Sequence, residues 1–453
     1  MAASRSDSKY VVCPNRHPNP NGSKLCNTCG LPIVDYETEL ESLLKAWAEQ
    51  EPHIKFSREK VFIGVGNQGC KLVHDLHRSW GNIIRDSEFL MIESSGETAQ
   101  PKEYTLPQTS SNGSVAPRLS LHLIPRAVNS QVGYFGLGDK LARDDPGLDD
   151  RLRRSGVNPS TEKQTVLLLS ALGGGTGSGA SPYTLQRARE INPHSRRVLV
   201  AMMPGADEPD SAHFNSFCSL SHSLQPNDDP VTDILILANY DRLSRIRGVS
   251  SSGEELARES LLSHLVASLA GAVEDGGSSE SDPGYLAKMG SSMGVHAFVP
   301  CLAIGRSLEI FGSIGNILES AFSSPLAPID TESIVLSYIL VQVPDRMASL
   351  LHEKTLRAEL NRWNKNSFPQ LKGSVIQMSH SFRTSDRVDL YLLLGGTKLA
   401  ITASRAKEGF DRFKSVVGRK AWEQEFGVSP QSLLEIEEAI DSYDNGLEEM
   451  MAI

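Results

Sequence analysis

The sequence predicts an α/β protein built on a parallel sheet, with a smaller α+β domain after it and a short metal-binding module before it. Three observations support this prediction. Apolar runs of strand length alternate with stretches of helical periodicity. Two glycine-rich turns each join such a strand to a helix. Three of the six cysteines fall within the first thirty residues, which indicates metal ligation rather than a disulfide framework.

Length and charge restrict the class of protein. A chain of 453 residues is expected to form two or three domains. The formal net charge of -10 argues against a protein whose main ligand is the phosphate backbone of nucleic acid. Neither a signal peptide nor an apolar run long enough to cross a bilayer is present, so a cytoplasmic protein without a transmembrane segment is expected.

A structural zinc ribbon is predicted over residues 1–34. The candidate ligands are Cys13, His17, Cys26 and Cys29. This Cys₃His set suits tetrahedral Zn²⁺, and four protein ligands leave no position for substrate, so the ribbon is expected to hold a partner that the sequence does not identify. The alternative is a reduced, cysteine-containing tail without metal. Residues 35–58 then predict a helical connector to the main body.

The first glycine-rich turn follows the apolar strand Lys60–Val65. Gly64, Gly66 and Gly69 form a GxGxxG motif, which lets the backbone approach a phosphate and directs the N-terminus of the next helix toward it. By itself the motif suits a nicotinamide or flavin enzyme, or a tight turn, equally well.

The second glycine-rich turn is the more informative one. A strand predicted over Thr165–Leu172 leads into Gly173–Gly179, where five of seven residues are glycine. Such a loop exposes many N–H groups, and the hydroxyls of Thr176 and Ser178 add further donors for phosphate oxygens. The loop has no lysine, which excludes a Walker A motif. A flexible linker is excluded because a strand precedes the loop and a helical pattern follows it.

The string GGGTGSG after an apolar strand resembles the signature of the tubulin and FtsZ superfamily, and it matches in full. The resemblance spans about residues 60 to 400 and implies a Rossmann-like parallel-sheet GTP-binding domain with a long central helix over residues 59–275. A second α+β domain over 276–428 and an acidic helical tail over 429–453 would follow. The implied ligands are GTP or GDP, with Mg²⁺ as a companion of the nucleotide.

The resemblance also implies which residues bind the nucleotide. They are Gly64, Gly66, Asn67, Gln68, Gly69, Cys70, Ser94, Ser95, Gly136, Gly138, Gly173, Gly174, Gly175, Thr176, Gly177, Ser178, Gly179, Glu208 and Asn239. Gly136 and Gly138 are expected in a glycine-rich loop over the terminal phosphate, and Glu208 at the ribose hydroxyls. Asn239 is expected to read the guanine edge, although a helix N-cap explains an asparagine there equally well.

Two positions depart from the FtsZ pattern. Ser95 stands where FtsZ has an aspartate, so this position offers no charge to Mg²⁺. Ala212 stands where FtsZ has an arginine, with His213 beside it, so the cation near the terminal phosphate is lost or replaced.

The predicted central helix, Glu254–Val273, leads into a polar loop from Gly276. The resemblance implies that this loop enters the nucleotide site of a neighbouring subunit and polarises the attacking water there. Asp282 matches the first of the two FtsZ aspartates and Glu280 lies close by, so these two are the candidate catalytic residues. A simple Asp-Pro-Gly turn in a solvated loop is the alternative.

The remaining sequence predicts the second domain. Its strands are expected at Gly294–Gly305, Ile334–Val343 and Asp389–Gly396, and its helices at Met347–Trp363 and Ala403–Val417. An acidic helix is predicted from Ser429 onward.

Three functions are compatible with these patterns. The first is a GTPase that assembles head to tail with copies of itself into cytoskeletal filaments. The second is a nucleotide-binding adaptor with little hydrolysis, whose zinc ribbon holds a partner. The third, a dinucleotide oxidoreductase, accounts for the first glycine turn but not for the second, and ranks last.

Overall fold

The computed structural model describes residues 10–12, 18–20, 23, 27, 60–81, 84, 87–95, 104–105, 118–125, 132–160, 164–224, 230–250, 253–271, 283–344, 347, 352–381, 386–416, 426 and 428–452. The strands are β1 Tyr10–Val12, β2 Pro18–Pro20, β3 Lys60–Val65, β4 Ser87–Ser95, β5 Tyr104–Thr105, β6 Arg118–Pro125, β7 Thr165–Ala171, β8 Arg196–Met203, β9 Ile234–Asn239, β10 Ala297–Ser307, β11 Leu336–Val343, β12 Gly373–His380 and β13 Arg387–Gly395. The α-helices are α1 Gly66–Trp80, α2 Phe135–Arg143, α3 Leu148–Arg154, α4 Gly175–Ile191, α5 Asp210–Leu224, α6 Tyr240–Leu243, α7 Arg258–Gly271, α8 Pro283–Ser292, α9 Leu308–Phe311, α10 Ile314–Phe322, α11 Glu353–Ser367, α12 Leu399–Thr402, α13 Ser404–Val416 and α14 Pro430–Ala452.

An 11-stranded sheet forms the centre of the molecule, in the order β12-β11-β13-β10-β9-β8-β7-β3-β4-β6-β5. From β6 to β10 every neighbouring pair is parallel. Parallel neighbours require a crossover connection, and α1, α4 and α5 follow β3, β7 and β8 in the chain. The inner strands are buried along almost their whole length, as expected for a sheet covered on both faces. The predicted α/β class is confirmed.

The strands of the predicted second domain continue this sheet. β10 pairs in parallel with β9 through Ala297–Leu235 and Phe298–Ile236, and β13 then lies antiparallel between β10 and β11. The main hydrophobic core includes residues from both halves, and a smaller cluster lies between the far strands and helices α10 and α11. The predicted boundary at residues 275 and 276 falls outside the described residues, so the division into domains stays a prediction.

The central helix begins later than predicted. Glu255 forms an isolated antiparallel bridge with Val249 instead. Beside this bridge Ser250 N donates to Glu254 O at 2.7 Å and Leu256 N donates to Gly248 O at 2.8 Å. These bonds commit the backbone to a short connection, and α7 starts only at Arg258. Farther along α7, the Ser268 hydroxyl bonds Gln342 Oε1 at 2.8 Å and Tyr391 Oη at 2.9 Å, which joins this helix to β11 and β13.

Two further expectations differ from the structure. The segment Gly133–Gly147, predicted as a glycine-rich loop, is mostly the helix α2, so Gly136 and Gly138 are helical residues. β6 and β12 were not predicted from the sequence. Both carry polar residues between their apolar ones, so neither is the continuous apolar run that is typical of a buried parallel strand.

The C-terminal helices pack on the body. Phe410 of α13 stacks on Phe214 of α5, with ring centroids 5.5 Å apart. In α14 the Tyr443 hydroxyl accepts a hydrogen bond from Ala297 N at 3.1 Å, and Asp444 accepts one from Leu399 N at 2.7 Å. The predicted acidic tail helix is therefore present, and it contacts the start of β10 and the segment just after β13, which lie at the same edge of the sheet. Among the described residues, no helix has both the length and the apolar character needed to cross a bilayer.

Candidate functional site

The carboxyl ends of β3, β4, β7, β8 and β9 bring most of the predicted nucleotide-binding residues to one edge of the sheet. Parallel strands end at the same edge, and ligands of open α/β sheets bind there. Contacts between the loops confirm that they meet. Ser94 Oγ lies 3.0 Å from Thr176 Oγ1, and a Cβ at Gly66 would lie 3.0 Å from Gly177 Cα.

The first turn is tightly built. Gly66 has a φ of +72°, which only glycine adopts readily, and a Cβ at Gly64 would overlap the carbonyl oxygen of Gly69. Asn67 and Gln68 are exposed at the start of α1. Cys70 is buried, with its thiol within reach of two carbonyl oxygens, Gly64 O at 3.5 Å and Ile92 O at 3.4 Å. The thiol therefore contributes to packing beneath the turn.

The second turn delivers the N-terminus of α4 to the same edge. Ser178 N donates to Gly174 O at 3.0 Å, so the amides before it precede the first helical hydrogen bond. Gly174 is exposed, and apart from its chain neighbours no atom of the described residues would lie within 4 Å of a Cβ there. The Ser178 hydroxyl differs from the expectation, because it is buried and donates to Gly174 O at 2.7 Å.

Several glycines at this edge allow close packing between backbones. A Cβ at Gly138 would overlap the carbonyl oxygen of Gly175, and one at Gly179 would overlap Phe135 O. A Cβ at Gly177 would overlap Ala171 O. Helices α2 and α4 thus pack closely because glycines lie at their contact. This packing accounts for glycine at these positions whether or not a ligand binds there. Phosphate contacts by Gly136 and Gly138 stay a prediction.

The loop after β8 carries Glu208 beside the second turn. A Cβ at Gly173 would lie 3.2 Å from Glu208 Oε2, and Glu208 Oε1 accepts a hydrogen bond from Gly205 N at 3.2 Å. Asp241 also accepts a hydrogen bond from Ala206 N. The sequence does not predict this contact of Asp241, because an aspartate in the first turn of a helix is common without any further role.

Asn239 ends β9 and occupies the N-cap position of α6, yet its side chain makes no capping hydrogen bond. Its backbone N–H donates to Leu326 O at 2.7 Å. Its Oδ1 is buried and has no hydrogen-bond partner among the residues that the structure describes. Asn239 therefore occupies the N-cap position without capping α6 through its side chain.

Near the start of α5, Ala212 stands where the FtsZ pattern has an arginine, so this position brings no positive charge to the site. His213 is 3% exposed and its ring packs against Gly409 of α13. Burial lowers the pKa of His213, so the imidazole is neutral at pH 7. Arg412 of α13 does reach this helix end, where it bonds Asp210 at 2.8 Å.

Asn215, one turn farther along α5, was also missed. Its side-chain amide donates hydrogen bonds to Gly133 O, just before α2, and to Gly173 O, at the start of the second glycine-rich turn. An asparagine inside a helical pattern carries no signal of this role in the sequence.

Some predicted residues lie outside the described part of the chain. These are the candidate zinc ligands Cys13, His17, Cys26 and Cys29, the helical connector 35–58, the candidate catalytic residues Glu280 and Asp282, and the side chain of Ser95. Within the described ranges, no group of three or more His, Cys, Asp or Glu side chains is arranged to hold a metal ion.

Comparisons with known proteins identify the fold. Neither a protein-family model nor a curated protein matches the sequence. Among solved structures, an FtsZ dimer from M. jannaschii superposes with a TM-score of 0.56 at 15% identity, covering 82% of this chain and 96% of that one. CetZ from Methanosaeta thermophila gives 0.56 at 16%, covering 86% and 98%. CetZ2 from Haloferax volcanii, a GTPγS-bound protofilament, gives 0.54 at 18%, covering 79% and 99%. The chain therefore has the fold of these tubulin-like proteins.

Proposed function

We propose that this chain binds a guanine nucleotide at the carboxyl edge of its sheet and assembles head to tail with copies of itself. The fold supports this proposal, since similar structures include an FtsZ dimer and a CetZ2 protofilament with bound GTPγS. The residues at the edge support it independently of the fold.

The observation that carries the proposal is the buried, unbonded Oδ1 of Asn239. Buried polar groups are nearly always hydrogen-bonded, because an unsatisfied one costs about 1–3 kcal/mol. A side-chain amide both donates and accepts, as the edge of a guanine requires. A purine base beside Asn239 would satisfy this amide.

The second glycine turn fits the phosphates of such a ligand. The free space at Gly174 and the N-terminus of α4 together form a cradle of main-chain N–H groups with the favourable end of a helix dipole. Glu208 lies next to Gly173 and would accept hydrogen bonds from ribose hydroxyls. These residues bind and orient the nucleotide without a lysine.

Hydrolysis would require a second subunit. Asp282 directly precedes α8 in the sequence, and we infer that Asp282, with Glu280 nearby, acts as general base on water at the nucleotide of the next subunit. GTP would be cleaved only after assembly.

An adaptor with little hydrolysis is the second candidate, and the start of α5 favours it. Ala212 and the neutral His213 supply no cation to a terminal phosphate, and Ser95 supplies no carboxylate for Mg²⁺. In that case the nucleotide would mainly set the conformation, and the predicted zinc ribbon would hold the partner.

Titration calorimetry with GTP, GDP and ATP tests the binding proposal, with Gly174→Ala as the decisive variant. Gly174 has ordinary backbone angles and free space around it, so the variant should fold like the parent protein. If a phosphate fills that space, guanine-nucleotide affinity should fall at least about tenfold. Gly446→Ala is the matched control, because it also faces free space but lies on α14. A parent protein that binds neither GTP nor GDP would refute the proposal.

A further inference from the structure

We propose that Asn215 is a positioning residue that fixes the spacing between the two backbone segments expected to hold the nucleotide phosphates. This inference rests on the proposed function. It adds to that function a residue of α5 that no ligand needs to touch.

The geometry assigns every hydrogen of the Asn215 amide. Nδ2 donates to Gly133 O and to Gly173 O, both at 2.9 Å, and Oδ1 accepts from Phe135 N at 2.8 Å. The residue is 1% exposed, so water does not compete for these bonds. One side chain thus joins residues 133–135 to Gly173, the first residue of the second glycine-rich turn.

The helix that carries Asn215 is itself fixed. Ser219, one turn later on α5, donates from its hydroxyl to Ser178 O of α4 at 2.8 Å. On the opposite side, Phe214 stacks on Phe410 of α13. Because α5 is held at both faces, the amide acts as a rigid spacer rather than as an adaptable contact.

The two joined segments also touch each other directly. A Cβ at Gly175 would lie 2.5 Å from Tyr134 N and 2.5 Å from Val132 O. Without the Asn215 amide, the carbonyl groups of Gly133 and Gly173 would lose their buried donors, and the two segments would separate or admit water.

The consequence depends on which phosphate each segment contacts. Residues 133–138 are predicted to cover the terminal phosphate, whereas Gly173 and Gly174 hold the phosphates that GTP and GDP share. A looser position of residues 133–135 should therefore lower the affinity for a nucleoside triphosphate more than the affinity for a nucleoside diphosphate. A residue with a purely structural role would weaken both to the same extent.

Asn215→Asp is the test variant. It keeps the acceptor for Phe135 N and the side-chain shape but replaces both donors with an oxygen that faces two carbonyl groups. Affinities for GTPγS and GDP would be measured in parallel. We expect GTPγS affinity to fall about tenfold and GDP affinity by less than about threefold. The control is Asn364→Asp, a buried asparagine between α11 and β12 whose Nδ2 donates to Ser374 Oγ at 2.7 Å. That variant should leave both affinities unchanged.

The outcomes separate the two proposals. If the parent protein binds neither nucleotide, the proposed function fails, and this inference fails with it. If the parent binds both and Asn215→Asp leaves their affinity ratio unchanged, only the positioning role is wrong. Should Asn215→Asp fail to fold, Asn215→Ser replaces it, since a hydroxyl is too short to join both segments. The same selective loss of GTPγS affinity is expected, and equal weakening of both nucleotides would overturn the inference.

Discussion

At the scale of single residues, the site contains two buried amides with opposite hydrogen bonding. Asn215 uses both N–H groups and its oxygen on the protein backbone. Asn239 leaves its oxygen unbonded. A fully bonded amide stabilises the fold, whereas an amide oxygen without a partner can accept a hydrogen bond from a ligand. This difference motivates the assignment of Asn215 to positioning and of Asn239 to recognition.

Asn239→Leu tests the recognition role. The replacement has the same branching of heavy atoms and removes a buried polar atom without a partner, so the nucleotide-free protein should be about as stable as the parent. Guanine-nucleotide affinity should fall about tenfold or more, and any preference for GTP over ATP should disappear. Thermal unfolding without nucleotide and competition binding measure the two effects. A clear loss of stability with unchanged affinity would mean that the amide serves the fold instead.

At the scale of elements, glycine sets how closely α2 approaches α4. Glycine in a helix interior normally costs about 0.5–1 kcal/mol relative to alanine. Gly138 and Gly179 are retained in helices because a Cβ at either position would overlap backbone atoms of the other helix. At the same contact the backbones of Tyr134 and Gly175 lie so close that a Cβ at Gly175 would be 2.5 Å from Tyr134 N.

Gly138→Ala should therefore destabilise the protein, contrary to its helix propensity. Backbone atoms of α4 would have to move away from the new methyl group, and overpacking of this kind costs about 1–3 kcal/mol. Gly446→Ala, in α14 with free space around it, should leave stability unchanged or raise it by up to about 1 kcal/mol. Urea denaturation compares the two variants. Equal effects would show that the helices do not meet in this way.

Local sequence patterns predicted most elements at this scale but not their exact limits. The strands that precede the two glycine-rich turns are predicted to within one residue at each end, because buried parallel strands are continuous apolar runs. The predicted start of α7 is four residues too early, because residues 254–256 form hydrogen bonds with residues 248–250 instead of helical ones. The sequence predicts a loop over Gly133–Gly147, because glycines that allow close helix packing look the same in a sequence as loop glycines.

At the scale of the whole molecule, one sheet links the candidate nucleotide edge to the second half of the chain. β9 ends in Asn239 and pairs with the start of β10, and α13 packs on α5 through Phe410 and Phe214. α14 bonds Ala297 at the start of β10 and Leu399 just after β13. The C-terminal helices therefore contact α5 near the candidate nucleotide site and also the opposite edge of the sheet.

Assembly-dependent hydrolysis is the prediction that belongs to this scale. If a neighbour completes the site, the rate of phosphate release per molecule should rise with protein concentration, and GTP should promote pelleting more than GDP does. Asp282→Ala should reduce turnover by at least about a hundredfold while GTP binding persists. Glu353→Ala, an exposed acid on α11, is the control and should have the parent rate. A rate per molecule that is independent of concentration would favour the adaptor instead.

The sequence by itself determined the α/β class, the strand–turn–helix units and the lysine-free glycine turn, because these depend on periodicity and on neighbours in the chain. Only the tertiary structure decided which glycines face free space and which permit helix packing, and that Asn215 joins two segments about 40 and 80 residues away. The physical reason is that close approach and buried hydrogen bonding depend on partners distant in sequence, whose positions no local pattern contains.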